Sequence, residues 1–286
     1  MLERSPQESL EDISEMRRQL DGLEETEEMV VIMKHLSALK EILSSGIKKR
    51  KLFIILDEEV VKLVAKPLPE REDAIITDLY ARVNKIYECV NMDVSSRMIL
   101  DAVLLALSDM VSTGPSAVAI LPDARIGSND GIPVINPPTG FELHLSGNTD
   151  YAVIKYDVEN DNKAFLLYPG GYPGGAFRVA KGRFFLIEAK QYAASEFPSF
   201  VPEAVGQAIA LLKSSNYVRF CLSDGRQWIF FVLRMVDSEL TYYYSLTRML
   251  NTTAALRVSD VQLREIMFLL REWLDPTTTG LFDVEE

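Results

Sequence analysis

From residue 8 to residue 46 the apolar positions recur every three or four residues. Leu10, Ile13, Met16, Leu20 and Leu23 form one series, and Val30, Ile32, Met33, Leu36, Leu39, Ile42 and Leu43 form a second. That spacing predicts helix, with the acidic EETEE cluster between the two series and Gly46 closing the run in a C-cap position. The segment is either a helical hairpin or one long helix. Its apolar stripe needs a partner, supplied by the rest of the chain or, through a coiled coil, by a second copy in a homodimer. Lys48, Lys49, Arg50 and Lys51 then form a compact basic run, readable as a nuclear localisation signal or as a solvated loop.

Pro67 and Pro69 precede a third helical pattern, over about 70–90. A fourth opens at Ser95 and Ser96, good N-cap residues, runs through RMILDAVLLALSDMV and stops at Gly114-Pro115. After residue 117 the texture changes to short apolar runs punctuated by Gly, Pro, Asn and Asp. Strands are predicted at Phe141–Leu145, Tyr151–Tyr156, Arg183–Ala189, Tyr217–Leu222, Gln227–Leu233 and Thr241–Leu246. Ser146-Gly147-Asn148 and Asp224-Gly225 are the turn signals. A helix from Pro202 to Lys213 interrupts the strands, and DVQLREIMFLLREWL reads as a last amphipathic helix. Helices alternating with strands predict an α/β fold with a mixed sheet of about five strands flanked by helices. The domain division expected is a helical extension over residues 1–69 and an α/β domain over 70–286.

Composition narrows the classes. At 48% hydrophobic the chain has a core to bury, and no stretch reaches the ~20 consecutive apolar residues of a membrane span. The start, MLERSPQESLEDISE, is polar and acidic, unlike a secretory signal peptide. An intracellular protein of the nucleus or cytoplasm is the expectation. Cys89 and Cys221 lack a CxxC partner and are expected to be reduced and packed. The formal net charge of −12 argues against loose binding to phosphate backbones. That acidity lies outside residues 133–236, where 10 Lys and Arg stand against 9 Asp and Glu.

The candidate chemistry sits in this near-neutral segment. In RFFLIEAK an apolar run ends in two charges, Glu188 and Lys190. Phe184 to Ile187 suit a strand covered on both faces, and unpaired charges at its end would be costly. Residues two apart on a strand share a face, so Glu188 and Lys190 project together. A carboxylate there can hold a divalent cation, and the ammonium can orient a water or stabilise negative charge. Upstream, FELHLSGNTDYAVIKYD reads as a hairpin with Asp150 just after its turn. Hard cations such as Mg²⁺ take oxygen ligands. Asp150 and Glu188 would supply two, and the Ala189 backbone carbonyl a third. Asp101, in the otherwise apolar RMILDAVLLAL, is a further acidic candidate, with Asp93, Glu88 and Glu142 behind it. His35 and His144 read as structural or exposed. The chain has no His/Cys cluster for zinc and no G-x-S-x-G elbow.

Asp150, a 37-residue spacing, and E-A-K ending an apolar strand together resemble the PD-(D/E)XK nuclease superfamily. A following helix that carries Gln207, in EAVGQAIALLK, and a strand–turn–strand in YVRFCLSDGRQWIFFVL extend the likeness over about residues 93–233. The pattern is similar to nuclease-like domains of fungal and oomycete proteins, including Crinkler-type effectors. The resemblance implies a restriction-endonuclease-like core that hydrolyses phosphodiester bonds, in DNA rather than RNA. Asp150 and Glu188 would hold Mg²⁺ or Mn²⁺, Lys190 would act on the attacking water, and Gln207 would orient Lys190 or touch substrate. Two features depart from the pattern. Thr149 stands where the motif has Pro, and a Gly/Pro-rich insertion, Pro169 to Gly175, reads as a mobile loop or hairpin. The alternative function is a catalytically inactive module of the same fold that binds nucleic acid or a protein.

Overall fold

Helix α2 (Glu70–Cys89) follows Pro69 and buries Ile76, Leu79 and Val83, the three-and-four spacing the sequence predicts. Its neighbour α3 (Met92–Val111) buries Ile99, Leu100, Val103, Leu104 and Leu107 on one stripe. The computed structural model describes residues 48–51, 57–90, 92–126, 132–135, 142–145, 147–158, 162–167, 173–189, 197–212, 217–237, 239–245, 248–250 and 260–275. The predicted helices over residues 8–46 lie outside the described residues.

The remaining strands are β1 (Lys48–Lys51), β2 (Ser116–Ile126), β3 (Ile132–Ile135), β4 (Glu142–Leu145), β5 (Gly147–Asp157), β6 (Phe184–Ala189), β7 (Tyr217–Ser223), β8 (Gln227–Val236), β9 (Glu239–Tyr244) and β10 (Arg248–Met249). Among the described residues eight of them make one mixed sheet in the order β1-β9-β8-β7-β6-β5-β2, with β10 beside β8. This sheet is larger than the five strands expected, because β1, β2 and β10 carry no clear alternation. Pairs β1–β9 and β6–β7 are parallel and the others antiparallel. The parallel β6–β7 pair needs a crossover, supplied by helix α6 (Phe197–Leu212).

Two apolar layers enclose the sheet. On one face lie α1 (Asp57–Ala65), α2, α3 and α7 (Val261–Leu274). On the other lie α4 (Asn162–Leu167), α5 (Pro173–Ala180) and α6. As FFLI suggests, β6 is buried on both sides. Arg219 Nη1 on β7 donates to the Trp273 carbonyl at 2.7 Å and ties the end of α7 to the sheet.

Several expectations change. Residues 142–145 pair with β3 in a separate two-stranded sheet, so they are not the hairpin partner of Asp150. That partner is β2, whose LPDAR reads as turn chemistry. Pro122 is tolerated because β2 is an edge strand. The basic run Lys48–Lys51, for which a loop was one reading, is hydrogen-bonded along β9. Residues 48–51 pair with β9, and Val60 and Val64 lie in the core, all within the span read above as the extension. Part of the Gly/Pro-rich insertion is helix α5, which buries Ala176, Phe177 and Ala180. Helix α6 begins at Phe197 and contains Pro202, rather than starting there. Cys221 is buried as expected, whereas Cys89 is exposed. No helix among the described residues is long and apolar enough to cross a membrane.

Candidate metal centre

Strand alternation decides which side chains meet. Ala152 and Ile154, two and four residues on from Asp150, belong to the apolar layer under α6, as do Leu186 and Phe184 before Glu188. Asp150 and Glu188 therefore project to the α6 face. The β5–β6 register ends at Tyr151 opposite Ile187, so the next step brings Asp150 opposite Glu188. Directly opposed residues of antiparallel strands have Cβ atoms about 4.5–5.5 Å apart.

At this point the backbone ladder gives way to side chains. Ala189 N donates to Asp150 Oδ2 at 2.8 Å, and Thr149 Oγ1 donates to the Ile187 carbonyl at 3.0 Å. The threonine that departs from the motif thus closes the strand end with a donor that Pro lacks. Glu188 is only 4% exposed. Gln207 reaches down from α6, and its Nε2 donates to Glu188 Oε2 at 2.7 Å and to the Asn148 carbonyl at 3.2 Å. One side chain thereby links α6 to both strands and supplies a donor to a buried carboxylate, which would otherwise be costly.

These donors fit a hard divalent cation. Asp150 is held through Oδ2 and Glu188 through Oε2, so both carboxylates are oriented at this strand end. The Ala189 carbonyl belongs to the same strand end. Among the described residues no group of three or more His, Cys, Asp and Glu is placed to hold a metal. Two carboxylates are the number that a Mg²⁺-like ion, which takes one or two and keeps its waters, would need.

Asp101 does not join Asp150 and Glu188. Its Oδ1 accepts from Tyr151 Oη at 2.6 Å. Burial, followed by that hydrogen bond to Asp101, pushes the Tyr151 phenol up to about 12. Glu88 is exposed at the end of α2. Glu142 sits on β4, outside the main sheet. The backbone of Asp93 is in α3. Lys190 and His35 lie outside the described residues, and of the side chains of Asp93, Glu142 and His144 nothing is described.

A residue the sequence reading missed is Asp123. The β2–β5 pairing runs from Pro122–Tyr151 to Ala124–Thr149 and skips the step at which Asp123 faces Asp150. Asp123 has φ +49°, the left-handed region that Asp tolerates better than most residues. Its carboxylate lies 3.9 Å from Arg97 Nη2. The one sequence signal was an Asp after Pro inside an otherwise apolar run.

No protein-family model matches the chain, and no curated protein matches its sequence.

Proposed function

We propose that the protein is a metal-dependent nuclease with a restriction-endonuclease-like core. The observation that carries this reading is the meeting of Asp150 and Glu188 at adjacent strand ends, with the first locked by the Ala189 amide and the second by Gln207. The order α3, antiparallel β2, β5 and β6, crossover α6 and parallel β7 supports it, because it sets that strand end in a mixed sheet between helices.

A bound Mg²⁺ or Mn²⁺ would polarise the phosphate and lower the pKa of a bound water. Asp150 and Glu188 would hold such an ion. Gln207 keeps the Glu188 carboxylate aimed at it. Lys190, two residues beyond Glu188 in the sequence, would supply an ammonium to the attacking water or to charge developing on the phosphate. The substrate is nucleic acid, DNA in preference to RNA.

The test is cleavage of plasmid and single-stranded DNA with Mg²⁺ or Mn²⁺, comparing wild type with Lys190→Ala. Loss of one such electrostatic group should lower the rate about 10²–10³-fold, with Mn²⁺ binding retained. Cleavage unchanged in Lys190→Ala would sink the assignment. The second reading, an inactive binding module of the same fold, draws on the net charge of −12. Metal binding by a wild type that cleaves neither DNA would favour it.

A further inference from the structure

Arg97 lies near the start of α3, on the face of the sheet opposite Gln207. Its Nε donates to Tyr151 Oη at 3.2 Å, and its guanidinium stands over the Tyr151 ring, 5.5 Å from the centroid. Tyr151 Oη in turn donates to Asp101 Oδ1, one helical turn beyond Arg97. Arginine, phenol and carboxylate thus form a chain that fixes the guanidinium from its Nε side. Its pKa is raised, first by the Tyr151 hydrogen bond, and Asp150 and Asp123 both add to the rise. Tyr151 is the residue next to Asp150, and Asp123 stands at the β2–β5 step that faces Asp150, so the guanidinium is placed near that carboxylate.

Among the described residues the outer fork of this arginine makes no hydrogen bond. Asp123 Oδ1, at 3.9 Å from Nη2, is a charge contact beyond hydrogen-bond reach. Among the described residues Nη1 and Nη2 have no hydrogen-bond acceptor, and the side chain is 54% exposed. A guanidinium held at Nε with its Nη edge open presents the planar pair of donors that matches two oxygens of a phosphate. An acidic protein that brings two carboxylates to a polyanion also needs positive charge beside them.

We propose that Arg97 is an anion subsite that binds a nucleic-acid phosphate next to the one engaged at Asp150 and Glu188, with Tyr151 and Asp101 as its positioning residues. This inference rests on the nuclease reading and names a contact to that substrate. Arg97 acts on binding along the strand, whereas Lys190 acts on the reacting group.

The experiment measures binding of a fluorescent duplex and a single-stranded oligonucleotide across a range of salt, with Ca²⁺ replacing Mg²⁺. Arg97→Ala should weaken binding roughly tenfold. It should also flatten the slope of log affinity against log salt by about 0.9 for duplex or about 0.7 for a single strand. Arg97→Lys should keep most of the slope while losing affinity, because the charge stays and the fork is lost. Tyr151→Phe should behave likewise through misplacement of the guanidinium. Mn²⁺ calorimetry on Arg97→Ala should show binding no weaker than in wild type, because removing a nearby positive charge does not disfavour a cation, and this separates the subsite from the metal centre. Inorganic phosphate, used as a competitor, should displace the oligonucleotide poorly. Strong displacement would mean a free-phosphate site and would overturn the assignment to nucleic acid. An unchanged slope in Arg97→Ala, or no binding by wild type, overturns the subsite. Cleavage lost in Lys190→Ala with that slope unchanged would leave the nuclease reading standing alone. A changed slope without wild-type cleavage would do the reverse.

Discussion

Gln207 and Glu188 are joined across the helix–sheet boundary, Nε2 to Oε2 at 2.7 Å, with Glu188 buried. An orienting partner of this kind sets where a ligand oxygen points, and its loss typically lowers metal affinity about 10–100-fold. Gln207→Ala should therefore weaken Mn²⁺ binding by that factor while the protein stays folded. Titration calorimetry reads it, and equal affinity in the two proteins would show that Gln207 does not orient the site.

Asp150 combines two tasks that a pair of variants can separate. Its Oδ2 completes the strand end by accepting from Ala189 N, and its charge would serve the proposed metal. Asp150→Asn keeps a carbonyl acceptor and removes the charge, so it should lose metal binding at nearly wild-type stability. Asp150→Ala also leaves the amide without its acceptor, at a cost of about 1–3 kcal/mol. Thermal denaturation alongside calorimetry checks the difference, and equal melting temperatures for the two variants would contradict it.

The chemistry proposed for this strand end was legible because RFFLIEAK carries its own contradiction, charges closing a run that is otherwise fit only for burial. Gln207 was equally legible, as a polar residue on a helix that buries Ala204, Ala208 and Leu211. The partner of β5 was not. FELHL has better alternation than SAVAILPDARI, yet the second pairs with β5 and the first with β3. Pairing in a sheet is settled by long-range packing, and Pro122 and Asp123 look like a turn until their position at the sheet edge is known. Arg97 and Tyr151 were invisible for the same reason. They are 54 residues apart and meet only because α3 packs on the face of the sheet to which Tyr151 points.

The turn between β7 and β8 makes a stability prediction. Gly225 has φ +81°, and an added Cβ would stand 2.3 Å from the Ser96 carbonyl oxygen. Asp224 Oδ1 holds the turn by accepting from Arg226 N and Gln227 N, so the backbone has little room to yield. Left-handed conformation alone costs a residue with a Cβ about 1–2 kcal/mol, and the clash with α3 adds to it. Gly225→Ala should clearly lower the melting temperature. Gly114→Ala, where a Cβ would meet nothing within 4 Å, should leave it nearly unchanged. Equal effects would mean that the turn and α3 are not packed as described.

The two cysteines differ in both access and acidity, which yields a last prediction. Cys89 is exposed at the end of α2, and Cys221 is buried in the central strand β7. Burial also pushes the Cys221 thiol well above its usual range, and the thiolate is the reactive form. Both effects act in one direction, so Cys221 should react only when the sheet opens. For a stable domain the unfolded fraction is about 10⁻³–10⁻⁶, and the reaction should be slowed in proportion. Ellman's reagent should therefore titrate one thiol rapidly in the native protein and two in denaturant. Cys89→Ser should abolish the fast phase and leave the slow one. Two fast thiols in the native wild type would show that β7 is not held at the centre of the sheet. Since Glu188 lies beside Leu222 on that same strand, such a result would also remove the rigid support on which the proposed metal centre depends.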